Sequence, residues 1–308
     1  MLSLSLKFLA GHATKFLAFG VLTGLFFPPL ADFLRPALAP TIFFSLILSL
    51  LRLDFNDVVG QLRRPLLLML FTGFGLFLSP VIMSIVVDAI HLPTGLAIGL
   101  VLMAASAPIM TAPTFALILG LEASFAIAVV VLNHILLPFT LPAMSLWLLN
   151  LEMQISLGEF MGRLLLMIGG GFAVAIILKR FALTPVRLRR HALHIDGLVV
   201  VCLVVIAIAI MAGVTETFFA RPKFVLITIV AAFLANVSLQ IMGSLIFLPA
   251  GRRTAFTTGH MAGNCNMALV LAVLADKAQA DVVLFFALAQ LPMYMLPIIA
   301  NRIYRRLL

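Results

Sequence analysis

Charge is the scarcest property of this sequence: Asp, Glu, Lys and Arg make up 10 % of its 308 residues, against 64 % hydrophobic. A water-soluble domain of that composition would expose a very large apolar surface. Lipid is therefore the expected solvent for most of the chain. Acids are rarer than bases, 11 against 20, and those near apolar runs (Asp88, Glu122, Asp196) sit at run ends or in turns. Without an intramembrane acid pair, and with no HExxH, GxSxG or Walker-type loop, nothing points to an enzyme. The two cysteines, Cys202 and Cys265, both lie in apolar stretches. They build no disulfide framework and report no redox compartment.

What is present is long apolar helix. A crossing needs about 20 mostly apolar residues, and runs bounded by charge, Pro or Gly fall at about 16–30, 37–51, 65–88, 96–119, 124–149, 160–178, 195–213, 224–249, 257–275 and 282–300. They are unbroken and rich in Leu, Ala and Ile, whereas barrel strands would alternate over roughly ten residues. The reading is an all-α integral membrane protein of about ten transmembrane helices with no soluble domain. Lys7 and Lys15 flank a short apolar patch without a small-residue cleavage site, so no cleaved signal peptide is expected.

Basic residues orient the chain. With the N-terminus inside, the inner segments collect fifteen of them: Lys7, Lys15, Arg52, Arg63, Arg64, Lys179, Arg180, Arg187, Arg189, Arg190, Arg252, Arg253, Arg302, Arg305 and Arg306. The outer segments hold only Arg35, Arg163, Arg221, Lys223 and Lys277. The bias predicts a multi-pass protein of the plasma (inner) membrane with both termini cytoplasmic. Because the bases are scattered among short loops, the net charge of +9 implies no nucleic-acid partner.

The two halves, 1–152 and 153–308, read as related five-helix repeats, and five being odd, the second enters the membrane inverted. Arg64-Pro65 recurs as Arg221-Pro222, 157 residues on. Pro138 and Pro142 recur as Pro292 and Pro297, at offsets of 154 and 155. Gly20 and Gly24 in the first span are answered by Gly169, Gly170 and Gly171 in the sixth, small residues that let helices approach closely.

Chemistry is expected where helices are interrupted at mid-depth. In the fourth span, Pro108 and Pro113 bracket Thr111 and precede Thr114, and each proline removes a backbone donor. In the ninth, Gly259-His260-Met261-Ala262-Gly263-Asn264-Cys265-Asn266 sits within an otherwise apolar run. Asparagine in lipid needs a partner, so Asn264 and Asn266 either meet a ligand or bond a neighbouring helix. Asn133 and His134, just before Pro138, form a second polar pair with the same two readings. His260 is either a proton-sensitive group or a packing residue. Asn236 and Gln240 share a helix face and read as packing.

Arg63-Arg64-Pro65, the Ala107-Pro108 to Thr111 stretch, Pro138-Phe139-Thr140-Leu141-Pro142 and Gly263-Asn264-Cys265-Asn266-Met267-Ala268-Leu269, in that order, resemble the bile acid:sodium symporter superfamily, which includes arsenite efflux permeases. The resemblance covers nearly the whole chain. It implies ten helices in two inverted repeats, arranged as a panel and a core, with the fourth and ninth helices broken and crossing. It also implies a secondary transporter moving a small organic anion by alternating access. The chain departs from the family's sodium ligands: Pro113-Thr114 replaces Ser-Asn, and Met261 and Cys265 replace Glu and Gln, while the asparagine persists as Asn266. The expected site residues are Thr111, Thr114, Asn133, His134, His260, Asn264 and Asn266, with no metal and no cofactor; transport is coupled to sodium on ligands other than the family's, coupled to a proton, or uncoupled. A non-transporting sensor or assembly subunit, or a passive channel, would use the same fold.

Overall fold

The computed structural model of the protein describes residues 6, 8–9, 11–53, 55–149, 155–274 and 277–308. Lys7 and the expected repeat boundary at 152–153 lie outside them. Among the described residues every regular element is helical, and seven helices are long and apolar enough to cross a membrane. The chain is an all-α, multi-pass membrane protein. The elements used below are α1 (Ala13–Phe26), α2 (Pro28–Arg52), α3 (Pro65–Ala89), α4 (Thr94–Ala105), α5 (Ala112–Ile118), α6 (Ala123–Leu149) and α7 (Leu157–Phe181). They continue with α8 (Ala192–Ala209), α9 (Pro222–Ile246), α10 (Arg252–Gly263), α11 (Met267–Leu274), α12 (Ala280–Leu288) and α13 (Gln290–Leu307).

Proline sets several of these boundaries. The residue before a proline is pushed out of helical ψ, and Phe27, Arg64 and Arg221 stand at ψ 69°, 54° and 61°. A proline then opens the next helix at N1, where its missing N–H costs nothing. Hence the first run, expected over 16–30, stops at Phe26 and the next helix begins at Pro28. In the tenth run Pro292 cannot donate to the Leu288 carbonyl, and the helix is interrupted at Ala289. Two π-helical turns, Phe74–Leu78 in α3 and Leu165–Gly169 in α7, left no trace in the hydropathy pattern.

The helix pairings fall into two groups, which also touch where α6 packs on α7 and α13 on α1. In one, α8 packs on α1 and α2, and α2 on α7. In the other, α9 packs on α10, α3 on α4, α4 on α12 and α5 on α6. In lipid the drive to associate comes from close packing rather than the hydrophobic effect, so small residues line the contacts. A Cβ on Gly24 would lie 2.6 Å from the Ile208 carbonyl oxygen, and one on Gly171 2.7 Å from Leu46 Cδ2. One on Gly259 would fall 2.0 Å from Ser244 Oγ and 2.4 Å from the Gln240 carbonyl oxygen. Of the triple-glycine run, Gly171 is the residue that touches the neighbouring helix tightly; Gly169 has nothing within 4 Å.

Candidate functional site

The fourth and ninth runs are each split where the proline and glycine pattern expected. α4 ends at Ser106, whose backbone is extended (φ −81°, ψ 149°), and α5 begins at Ala112. α10 ends at Asn264 (φ −105°, ψ 76°), and α11 begins at Met267. The two gaps meet. Ile109 donates its N–H to the Asn264 carbonyl at 2.9 Å and Asn266 donates to the Ala107 carbonyl at 2.8 Å, pairing Pro108 with Cys265 as an isolated antiparallel bridge.

Breaking two helices in a low-dielectric interior frees carbonyls that water would otherwise satisfy, and nearby polar side chains take them up. Ser79 Oγ donates to the Ala104 carbonyl at 2.8 Å and Ser106 Oγ to Leu102 at 2.6 Å. On the other side Asn236 Nδ2 donates to Gly263 at 2.6 Å and Asn264 Nδ2 to His260 at 2.7 Å. Asn236 is itself oriented by Gln240, whose Nε2 donates to its Oδ1. The reading of Asn236 and Gln240 as packing residues thus gains a purpose: they close the end of a broken helix. α5 ends in a Schellman-type turn, with Leu121 N–H on the Ala116 carbonyl at 2.8 Å and Gly120 at φ +73°, a conformation that favours glycine.

The expected site residues do not form one cluster. Thr111 and Asn266 line a central cavity of about 50 Å³, together with Ser45, Gln290 and Tyr294. Thr111 and Thr114 line a second cavity of about 200 Å³ that reaches Arg52 and Asp196. His134 is fully buried and its Nδ1 lies 2.8 Å from the Val130 carbonyl, so that nitrogen carries the proton. Its Nε2 is then an acceptor and stands 3.4 Å from Asn266 Nδ2. His260 is in the opposite tautomer: its Nδ1 accepts from Asn264 Nδ2 at 3.1 Å, which leaves the proton on Nε2, a buried donor with no partner. Asn264 spends its amide nitrogen on its own helix, and its Oδ1 is unpaired. Asn133 faces α3, where Thr72 Oγ1 donates to its Oδ1 at 2.9 Å.

Gln290 was missed in the sequence. It is fully buried, its Oε1 has no partner, and it lines the central cavity beside Asn266. An amide in an apolar run two residues before Pro292 was the available signal. Among the described residues no group of three His, Cys, Asp or Glu side chains is placed to hold a metal ion.

No protein-family model matches this chain, and no curated protein matches it in sequence.

Four cavities follow one seam, while a larger apolar one of about 660 Å³ lies apart from it between α3, α4 and α9. Along α2, Leu38 and Ala39 line a cavity of about 350 Å³, Ile42, Ser45 and Leu46 the central one, and Ser49, Arg52 and Leu53 the about 200 Å³ one. Along α8 the same three cavities take Ala209 and Ile210, then Leu203 and Ile206, then Asp196, Val199 and Val200. A further cavity of about 330 Å³ adjoins the first through Arg35, Ala212 and Val283. Open space thus lies at both ends of the interface between the two helix groups. At the crossing it narrows to room for a few waters.

Proposed function

We propose that this chain is a secondary transporter, a divergent relative of the bile acid:sodium symporters, that moves a small organic anion across the plasma (inner) membrane by alternating access. The observation that carries the reading is the seam. Cavities at both ends of one interface, closed between them by a crossing of two broken helices, are what a carrier needs to expose one site to either side in turn. A channel would instead show a polar path continuous through the full depth.

In this reading ten spans form two inverted five-helix repeats, 1–152 and 153–308, with both termini cytoplasmic. The hydrogen-bond pair at the crossing supports the repeat. An offset of 157 residues takes Ala107 to Asn264, Ile109 to Asn266 and Arg64 to Arg221, so the bond Ile109 to Asn264 maps onto the bond Asn266 to Ala107. The ion pairs support it too. Arg64 meets Glu122 just before α6, and Arg221 meets Asp281 at the start of α12. The group of α1, α2, α7 and α8 would serve as the panel and the remainder as the core.

The central site consists of Thr111, Asn266 and Gln290, with His134 holding Asn266 from behind. The Asn266 side-chain amide and the positive end of the α11 dipole favour an anionic group without any cation at mid-depth. His260 and Asn264, with one unpaired polar atom each, form a secondary polar pocket suited to a coupling proton or sodium ion.

The test is flux into proteoliposomes of a panel of labelled organic acids, with sodium and proton gradients imposed separately. Saturable uptake of at least one acid is expected. No solute-dependent flux under either gradient overturns the proposal.

A further inference from the structure

The cavity of about 200 Å³ between the two helix groups holds a charge that the central site lacks. Arg52, at the last turn of α2, is bound by Asp196 of α8: its Nε donates to Oδ1 at 2.6 Å and one Nη2 proton to Oδ2 at 3.2 Å. A guanidinium carries five N–H donors. The pair uses two, and the other three, two on Nη1 and one on Nη2, have no protein acceptor among the described residues. Arg52 keeps 35 % of its side chain exposed, and both partners line the cavity.

A second group in the same cavity has no partner. Ser49, one helical turn before Arg52, is 6 % exposed and its Oγ makes no hydrogen bond. Burying a hydroxyl unpaired costs about 1–3 kcal/mol, so this atom faces a missing partner. Thr111 and Thr114 line the same cavity. Thr111 and Met110 also line the central cavity. The vestibule therefore leads directly onto the crossing.

We infer that this vestibule is a staging site for a small monocarboxylate, whose oxygens take the free Arg52 donors and the Ser49 hydroxyl before the solute passes Thr111 to the central site. The proposal rests on the transport reading above and adds to it a second position and a chemistry. Asp196 fixes the guanidinium through Nε and Nη2, and it competes with the solute for the same charge. Planar paired recognition of a carboxylate favours arginine here. The volume falls below the ~300–1,000 Å³ of pockets that take drug-sized ligands, which excludes a large amphiphile from this position.

The experiment needs no transport. Ser49→Cys is made in a Cys202→Ala, Cys265→Ala background, because Cys202 is as exposed (7 %) as Ser49 (6 %). Reconstituted protein is treated with anionic sulfonatoethyl and cationic trimethylammonioethyl methanethiosulfonate. The new thiol is expected to react with both, the anionic reagent being slowed about fivefold by a second change, Arg52→Gln, and accelerated by Asp196→Asn. Acetate and benzoate should protect the thiol, whereas acetamide and benzamide should not. A thiol inert to both reagents, rates indifferent to Arg52→Gln and Asp196→Asn, or equal protection by acids and amides would each overturn the staging site. Absence of flux with protection intact would instead strike the transport reading alone. Should Arg52→Gln fail to fold, the acceleration expected from Asp196→Asn decides the matter.

Discussion

Ile109 donates its backbone N–H to the carbonyl of Asn264 at 2.9 Å, joining two helix breaks that lie 155 residues apart in the chain. With its companion from Asn266 to Ala107 it is the one strand-like bridge among the described residues. Non-helical backbone at membrane depth survives only where protein groups satisfy it, and here each break supplies the other's partners. The consequences of that mutual dependence are open to measurement.

Asn236 is the first lever. Its Nδ2 is the donor that meets the last carbonyl of α10, and it is fully buried. Asn236→Ala leaves that carbonyl and the Gln240 amide unpaired, which should cost about 1–3 kcal/mol. Thermal unfolding in detergent should show the loss as a lowered midpoint. An unchanged midpoint would mean that water or a rearranged Gln240 replaces the bond.

Close approach of α9 and α10 gives a steric prediction with an internal control. A Cβ at Gly259 would lie 2.4 Å from the Gln240 carbonyl oxygen, and one at Gly263 2.7 Å from that of Asn236. Backbone cannot rotate away, so Gly259→Ala should destabilise by about 1–3 kcal/mol. Gly169→Ala, where nothing lies within 4 Å, should leave the midpoint in place. Equal effects at the two positions would refute the packing described.

Asn266 is the lining residue most central to the proposed solute site. It reaches His134 at 3.4 Å, and its Oδ1 accepts from the Leu269 N–H at 3.3 Å. Asn266→Ala should cut flux about tenfold or more while membrane insertion and expression persist, since a lost polar contact of about 1.4 kcal/mol or more is a factor of ten. Asn266→Ser, which keeps a capping oxygen, should recover stability but not flux. Wild-type flux in Asn266→Ala would move the site to Gln290 or beyond.

The ion pairs at the helix starts differ in what they carry. Arg221 and Asp281 form an exposed pair, and Arg221→Gln should cost no more than about 1 kcal/mol. Glu122 instead accepts from Arg64 at 3.3 Å and from Thr254 Oγ1 at 2.6 Å, while its own N–H donates to Thr257 Oγ1 at 3.0 Å. Glu122→Ala removes both carboxylate contacts and should be the more destabilising change in the same unfolding assay. The reverse order would show that the turn between α5 and α6 is not anchored to α10.

Much of this architecture was legible in the sequence because lipid imposes simple rules. Arg64-Pro65 and Arg221-Pro222 announced helix starts, since proline acts on its own peptide plane and needs no tertiary context. Pro108, Pro113, Gly259 and Gly263 marked the two breaks for the same reason. The roles of polar residues were not legible, because an amide in a helix looks alike whether it caps a carbonyl or faces a solute. Thus Asn264 turned out to spend its nitrogen on its own helix, Asn133 to face Thr72, and Gln290 to line the cavity unannounced. Which way each pointed depended on the rotation of whole helices, and for Asn133 on a partner 61 residues distant. The Arg52–Asp196 vestibule was equally hidden, its partners being 144 residues apart.

The crossing itself can be locked. Pro108 and Cys265 face each other across the bridge, and the bonds flanking them run from Ile109 to Asn264 and from Asn266 to Ala107. That makes them a non-hydrogen-bonded antiparallel pair, the kind whose Cα atoms stand about 4.5 Å apart, within the span a disulfide accepts. Pro108→Cys in a Cys202→Ala background should therefore oxidise readily to a bond with Cys265, detectable as a cross-linked peptide by mass spectrometry. Proline at 108 donates no hydrogen bond, so its replacement removes no contact from the bridge. If the crossing stays intact while the two helix groups rock, as a rigid core requires, the oxidised protein keeps its flux. Efficient cross-linking with flux abolished would mean that the broken helices themselves part during transport, and failure to cross-link at all would mean that they do not meet.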